Sequence, residues 1–141
     1  MATDAPAIVE LTKENFAQSI DGHPFAVVDF WAPWCGPCRA FAPVFAAATA
    51  RHPDVLFAKV NTEEQQELAA HFHIGSIPML MIFRDNIIVF AQPGAVSGGA
   101  LDEVLAAAHT LDMDVVHSEA SAQESEARAK RPDRIRVTLP L

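Results

Sequence analysis

The only two cysteines of the chain stand in Trp31-Ala32-Pro33-Trp34-Cys35-Gly36-Pro37-Cys38-Arg39, spaced C-x-x-C. Their flanks constrain where they sit. Phe25 to Trp31 is an apolar run of buried-strand length, interrupted once by Asp29. Arg39 to Arg51 is rich in alanine and phenylalanine and reads as a helix. Phe41 and Phe45 share one face of it, and Pro43, which lacks a backbone donor, is expected to kink it. A dithiol between such a strand and such a helix sits at the helix N-terminus, where aligned peptide dipoles favour an anion. The anion is a thiolate. Cys35 is therefore expected as the nucleophile, with a pKa below the ordinary value of about 8.5. Cys38, one turn deeper, is expected as the resolving thiol that attacks the bond Cys35 forms.

The rest of the chain supplies a frame for that junction. Ala7 to Leu11 is a short strand candidate, and Thr12 is placed to cap a helix over Lys13 to Ser19, with no ideal capping box. Asp21 to Pro24 is a turn by composition. Val55 to Val60 reads as a second buried strand with one interior lysine, Lys59. A helix capped from Asn61-Thr62 is expected from Glu63 to Phe72. Met79 to Phe83 and Ile87 to Ala91 read as a hairpin joined by Arg84-Asp85-Asn86. After a turn at Pro93-Gly94, Ser97 leads into a helix from Gly99 to Thr110, with Leu101, Val104, Leu105 and Ala108 on one side. The order β-α-β-α-β-α-β-β-α predicts an α/β fold with a mixed central sheet. Residues 1–111 form one domain on this reading. Residues 112–141 are a polar extension in which Ser118 to Lys130 is a solvated helix or a flexible tail. Arg134 to Leu139 alternates like an edge strand, although a frayed terminus is the stronger expectation.

Composition closes off several function classes. The net charge is −8, and residues 1–111 carry twelve acids against five bases, which argues against a nucleic-acid partner. No apolar run approaches the ~18 residues of a membrane span. Met1 to Pro6 lacks the basic flank and apolar segment of a signal peptide, so a cytoplasmic protein is expected. Two cysteines in one motif make no disulfide framework and point to catalysis or metal binding. Zinc would need two further ligands, and the closest histidine pair, His71-Phe72-His73, has one intervening residue instead of the usual three to five.

Asp29 is the most informative residue outside the motif. A carboxylate between Val28 and Phe30 in a buried strand is costly unless neutral or partnered. Desolvation raises its pKa, which suits a general base for the Cys38 thiol. The alternative is that Asp29 reaches the end of the sheet and is solvated.

The run Trp31 to Arg39 after Val27-Val28-Asp29-Phe30 resembles the thioredoxin family. The likeness continues in order through Phe41-Ala42-Pro43, Val60-Asn61, Ile74-Gly75-Ser76-Ile77-Pro78 and Pro93-Gly94-Ala95. It covers about residues 7–110 and leaves 112–141 outside. It implies a thioredoxin fold, with helices on both faces of the sheet, and a protein-disulfide reductase at the reducing end of the superfamily. It further implies Lys59 as the charge partner of Asp29 and Pro78 as a cis proline facing the dithiol. Around Cys35, Trp34, Gly36, Pro37, Ile77, Gly94 and Ala95 form an apolar substrate-binding rim, an exposed patch of the kind that marks a protein-binding surface. Trp31 is assigned to core packing beside the active site. Met79, where the family usually has threonine, is expected beside the substrate groove and bears on target preference. Ser76 and Arg84-Asp85-Asn86 are further departures. The partners implied are protein disulfides and a flavoprotein of the thioredoxin-reductase type, with no cofactor beyond the cysteine pair, no metal, and a monomer. A redox-linked binding module and a disulfide isomerase are the alternative functions.

Overall fold

The computed structural model of the chain describes residues 8–130. It divides into two compact units, the boundary falling between His109 and Thr110. The first unit follows the expected element order: β1 (Val9–Glu10), α1 (Phe16–Asp21), β2 (Phe25–Trp31), α2 (Gly36–Arg51), β3 (Leu56–Asn61), α3 (Gln66–His71), β4 (Met79–Arg84), β5 (Ile87–Pro93) and α4 (Gly98–His109). The sheet order is β1-β3-β2-β4-β5. The pairs β1–β3 and β2–β3 are parallel, whereas β2–β4 and β4–β5 are antiparallel, so the sheet is mixed.

β2 is the central strand, and it is apolar apart from Asp29 because both its faces are covered. Side chains alternate across a strand. Phe25 and Val27 join Phe57, Leu80 and Ile82 against Phe41, Phe45 and Ala48 of α2 and Leu101, Leu105 and Ala108 of α4. On the other face, Ala26, Val28 and Phe30 join Ala58, Val60, Met81 and Phe83 against Phe16, Ile20 and Leu68 of α1 and α3. Each large apolar side chain fully buried in these layers contributes roughly 1.5–3 kcal/mol. Asp29 and Trp31, two and four places after Val27, fall on the α2/α4 face, as does Lys59, two places after Phe57. The alternation that builds the core thus delivers these three side chains to the dithiol helix.

Several boundaries differ from the sequence expectation, each for a local reason. α1 starts at Phe16, not Lys13, because Thr12 and Asn15 close a reciprocal turn first. The Thr12 amide donates to Asn15 Oδ1 (2.7 Å) and the Asn15 amide to Thr12 Oγ1 (3.3 Å). The reciprocal bonds are those of a capping box, with asparagine in the place of the usual glutamate, and here they close a separate turn over residues 13–15 ahead of the regular helix. The helix expected over Glu63 to Phe72 is two pieces. Asn61 Oδ1 accepts the amides of Glu63 (3.0 Å) and Glu64 (3.3 Å), which makes an isolated turn before α3 begins at Gln66. α2 begins at Gly36 and runs past Pro43 to Arg51. Asp85 and Asn86, with φ of 52° and 68°, form the two-residue hairpin connection that needs left-handed backbone at both positions. Arg84 at its edge donates from Nη1 to the Ala108 carbonyl (2.6 Å), satisfying the C-terminus of α4.

In the second unit, α5 (Met113–Lys130) extends the helix candidate five residues toward the N-terminus. Asp112 caps it, its Oδ1 accepting the amides of Asp114 (3.0 Å) and Val115 (3.4 Å). The strand-like stretch Arg134 to Leu139 and the segment Met1 to Pro6 lie outside the described residues. Among the described residues, no helix is long and apolar enough to cross a membrane.

Candidate active site

Cys35 is the N-cap of α2, in extended backbone (φ −86°, ψ 116°), and Gly36-Pro37 form the first helical positions. Proline is suited there because the amide it lacks has no partner inside the helix. The Cys38 amide donates to Cys35 Sγ at 3.2 Å, so the sulfur takes the role an N-cap oxygen usually plays. The two cysteines are joined as a disulfide, with Cα atoms 5.2 Å apart. Both are well covered: Cys35 keeps 5 % of its surface and Cys38 2 %. Approach to Cys35 is therefore narrower than the open rim expected from sequence. Gly36, Pro37 and Trp34 around it are exposed, Trp34 at 64 %.

The opposite wall is the loop before β4. The Ile77–Pro78 peptide is cis, and the Ile77 carbonyl oxygen lies 3.9 Å from Cys35 Sγ. The Gly94 amide donates to the Pro78 carbonyl at 2.7 Å, which brings the loop after β5 alongside. Gly94 has φ of 96°, a conformation open to glycine at little cost. Ala95 follows it on the exposed surface. Seven expected residues thus converge: Cys35, Cys38, Gly36, Pro37, Ile77, Pro78 and Gly94. Trp34 adjoins them in the chain, and its indole N–H donates to Glu63 at 2.8 Å. Met79, next in the chain after Pro78, opens β4 and pairs with Pro93. Strand alternation turns the Met79 side chain to the α1/α3 face, where it packs with the cluster containing Phe30 and Met81.

Asp29 lies beneath the dithiol helix, fully buried, with both carboxylate oxygens lacking a hydrogen-bond partner. The solvated alternative is thereby removed. Burial pushes its pKa up to about 7, and the positive charge of Lys59 pulls in the other direction. Lys59 stands opposite Asp29 in the β2–β3 register, but the two make no ion pair. The Lys59 Nζ lies instead over the ring of Trp31, 4.5 Å from its centroid. Trp31 packs beside the site, as expected from the sequence. Its ring belongs to a small cluster with Ala32, Ile77 and both cysteines, and its carbonyl accepts from the Thr62 amide at 2.8 Å.

Glu63 is a site neighbour that sequence reading did not assign, and the contact of Trp31 with Lys59 is an addition to its expected packing beside the site. Trp31 was legible through its i, i+2 relation to Asp29, which puts both on one face; the Trp34–Glu63 bond had no sequence signature. His71 and His73 are exposed, and among the described residues no group of His, Cys, Asp or Glu side chains is arranged to hold a metal ion.

Comparison with known proteins agrees with this geometry. The thioredoxin family model matches residues 7–107. A putative thioredoxin 2 of Streptomyces coelicolor is 51 % identical over 119 residues, which cover 84 % of this chain and 89 % of the relative. A thioredoxin of Buchnera aphidicola is 37 % identical over 100 residues, 70 % of this chain and 93 % of that one. Among solved structures, oxidised thioredoxin from Plasmodium falciparum superposes with a TM-score of 0.65 at 26 % identity, covering 70 % of this chain and 95 % of its own. Mitochondrial thioredoxin 3 of Saccharomyces cerevisiae, also oxidised, gives 0.65 at 28 % identity over 70 % and 92 %. With a cysteine pair at a helix N-terminus, a mixed five-stranded sheet and these relatives, the chain belongs to the thioredoxin family and is a dithiol–disulfide oxidoreductase of the protein-disulfide reductase type.

Proposed function

We propose that the reduced protein donates two electrons to a protein disulfide through Cys35, with Cys38 completing the transfer. The Cys35 thiolate, favoured by the positive end of α2, attacks one sulfur of the substrate disulfide. The substrate bond breaks, one substrate thiolate leaves, and Cys35 holds the other sulfur in a mixed disulfide. Asp29 takes the proton of Cys38. The Cys38 thiolate then attacks Cys35 Sγ, releases the second substrate thiolate, and closes the Cys35–Cys38 bond. A carboxyl titrating near 7 both accepts and returns a proton at neutral pH, which is what such a step needs. Ile77 and Gly94 offer backbone and apolar contact to an extended substrate segment, with Trp34, Gly36, Pro37, Pro78 and Ala95 completing the surface.

The observation that carries this reading is the oxidised Cys35–Cys38 pair at the N-terminus of α2, facing the Ile77 carbonyl 3.9 Å away. A flavoprotein of the thioredoxin-reductase type returns the disulfide to the dithiol. The cytoplasm is the compartment in which such a reductant maintains thiols, and residues 1–111 suffice for the chemistry, with 112–141 a separate extension. Insulin reduction tests the proposal. Cys35→Ser abolishes turnover, whereas Cys38→Ser retains the first attack and accumulates mixed disulfides with its substrates. Turnover unchanged in Cys35→Ser would refute it.

A further inference from the structure

Lys59 has two destinations on the α2 face of the sheet. One is the Asp29 carboxylate, directly across the β2–β3 register. The other is the ring of Trp31, two residues along β2 on the same face. The ammonium takes the ring, 4.5 Å from its centroid, while both Asp29 oxygens stay without a hydrogen-bond partner. A lysine over a partly desolvated indole face gains a cation–π attraction, and its long stem makes either position reachable.

The ring is held for this role by its surroundings. The Trp31 carbonyl accepts from both the amide (2.8 Å) and the hydroxyl (3.1 Å) of Thr62, which fixes the end of β2 against β3. The ring packs with Ala32, Ile77 and the dithiol. Its Nε1 is buried without a partner, so packing and not hydrogen bonding sets its orientation. β4 places Leu80 opposite Asp29, and the sheet face that carries Asp29 packs against the apolar side chains of α2 and α4. Lys59 is the charged group that acts on the carboxylate; Cys38, held in the disulfide, becomes a titratable neighbour only on reduction.

We propose that Trp31 is a positioning residue for proton transfer from Cys38, its ring face holding the Lys59 ammonium off the Asp29 carboxylate. This rests on the reading of Asp29 as the proton acceptor. A close Lys59–Asp29 pair would stabilise the carboxylate and weaken it as a base, since an opposite charge within about 4–6 Å lowers a carboxyl pKa by roughly 1–3 units. Diverted onto Trp31, the lysine still supplies positive potential without claiming the lone pairs that receive the proton.

The test follows the Asp29 titration midpoint by carboxyl NMR in the full chain, oxidised so that no thiol titrates. In Trp31→Leu, the freed lysine swings to Asp29 and the midpoint falls by about one pH unit. Adding Lys59→Met to that variant restores the midpoint to the wild-type value or above. Trp31→Phe, which keeps an aromatic face, stays within a few tenths of a unit of wild type. Trp31→Met replaces the leucine variant if the latter does not hold its fold. No fall in the leucine or methionine variant would overturn the proposal. So would a fall that persists after Lys59→Met, since that marks water entering the site and not the lysine. Mixed-disulfide resolution measured against pH in Asp29→Asn separates the two readings. A rate and profile unchanged by that substitution would remove Asp29 as the base, and with it the proton-transfer role, whatever the midpoints do.

Discussion

Replacing Asp29 with asparagine should stabilise the protein by an amount that depends on pH. The carboxyl is fully buried with no hydrogen-bond partner, and burial raises its pKa to about 7 against a weaker pull from Lys59. In the unfolded chain it titrates near 3.9, the approximate value of a free aspartate. A group whose pKa is raised on folding binds its proton more tightly in the folded state. Its stabilising effect is therefore greatest below the unfolded pKa and is lost as pH rises toward the folded one. The loss is about 1.4 kcal/mol per pH unit, or roughly 4 kcal/mol in total by about pH 8. Asparagine is close in shape and does not ionise. The stability difference between Asp29→Asn and wild type should be small near pH 4 and grow toward ~4 kcal/mol in favour of the variant near pH 8. Urea unfolding of the oxidised proteins across that range measures it, with no thiol titration to interfere. A difference that stays constant with pH would show that Asp29 titrates alike in both states, and the argument from burial would fail.

Two further outcomes probe the frame around the site. Phe45 is fully buried, its ring 5.1 Å from that of Phe57; Phe45→Ala should cost about 3–5 kcal/mol in denaturant unfolding while leaving the Cys35–Cys38 potential unchanged. Asp102 of α4 lies 2.7 Å from His52 Nε2 and accepts from Arg51 Nε at 3.1 Å. The His52 contact first, and Arg51 after it, hold its carboxyl below the usual range. Stability from a lowered carboxyl is present above the unfolded pKa and lost as pH falls through the folded one. Asp102→Asn should therefore be less stable than wild type at neutral pH, by a margin that narrows on acidification, as followed by thermal unfolding.

The parts legible in the sequence were those fixed by short-range pattern. Phe25 to Trp31 is apolar because β2 is covered on both faces, and that same continuity made Asp29 conspicuous. The hairpin followed from Asp85-Asn86, the residue types that tolerate left-handed backbone. The starts of α1 and α3 were misplaced because Asn15 and Asn61 use their side chains to close turns ahead of the helices. Met79 is expected beside the groove from its place next to Pro78, and strand parity adds that its side chain packs on the α1/α3 face. The destination of the Lys59 ammonium was beyond reach, since a four-carbon stem reaches either Asp29 or Trp31 and only packing chooses. Convergence of Ile77, Pro78 and Gly94 on Cys35 depended on family resemblance, because it joins loops distant in the chain.

The reduction potential of the Cys35–Cys38 couple, set by equilibration against glutathione or a dithiol of known potential, bears most directly on the assignment. A disulfide reductase should lie near about −270 mV, the value characteristic of thioredoxins, whereas a potential near about −180 mV, that of protein disulfide isomerase, would contradict it.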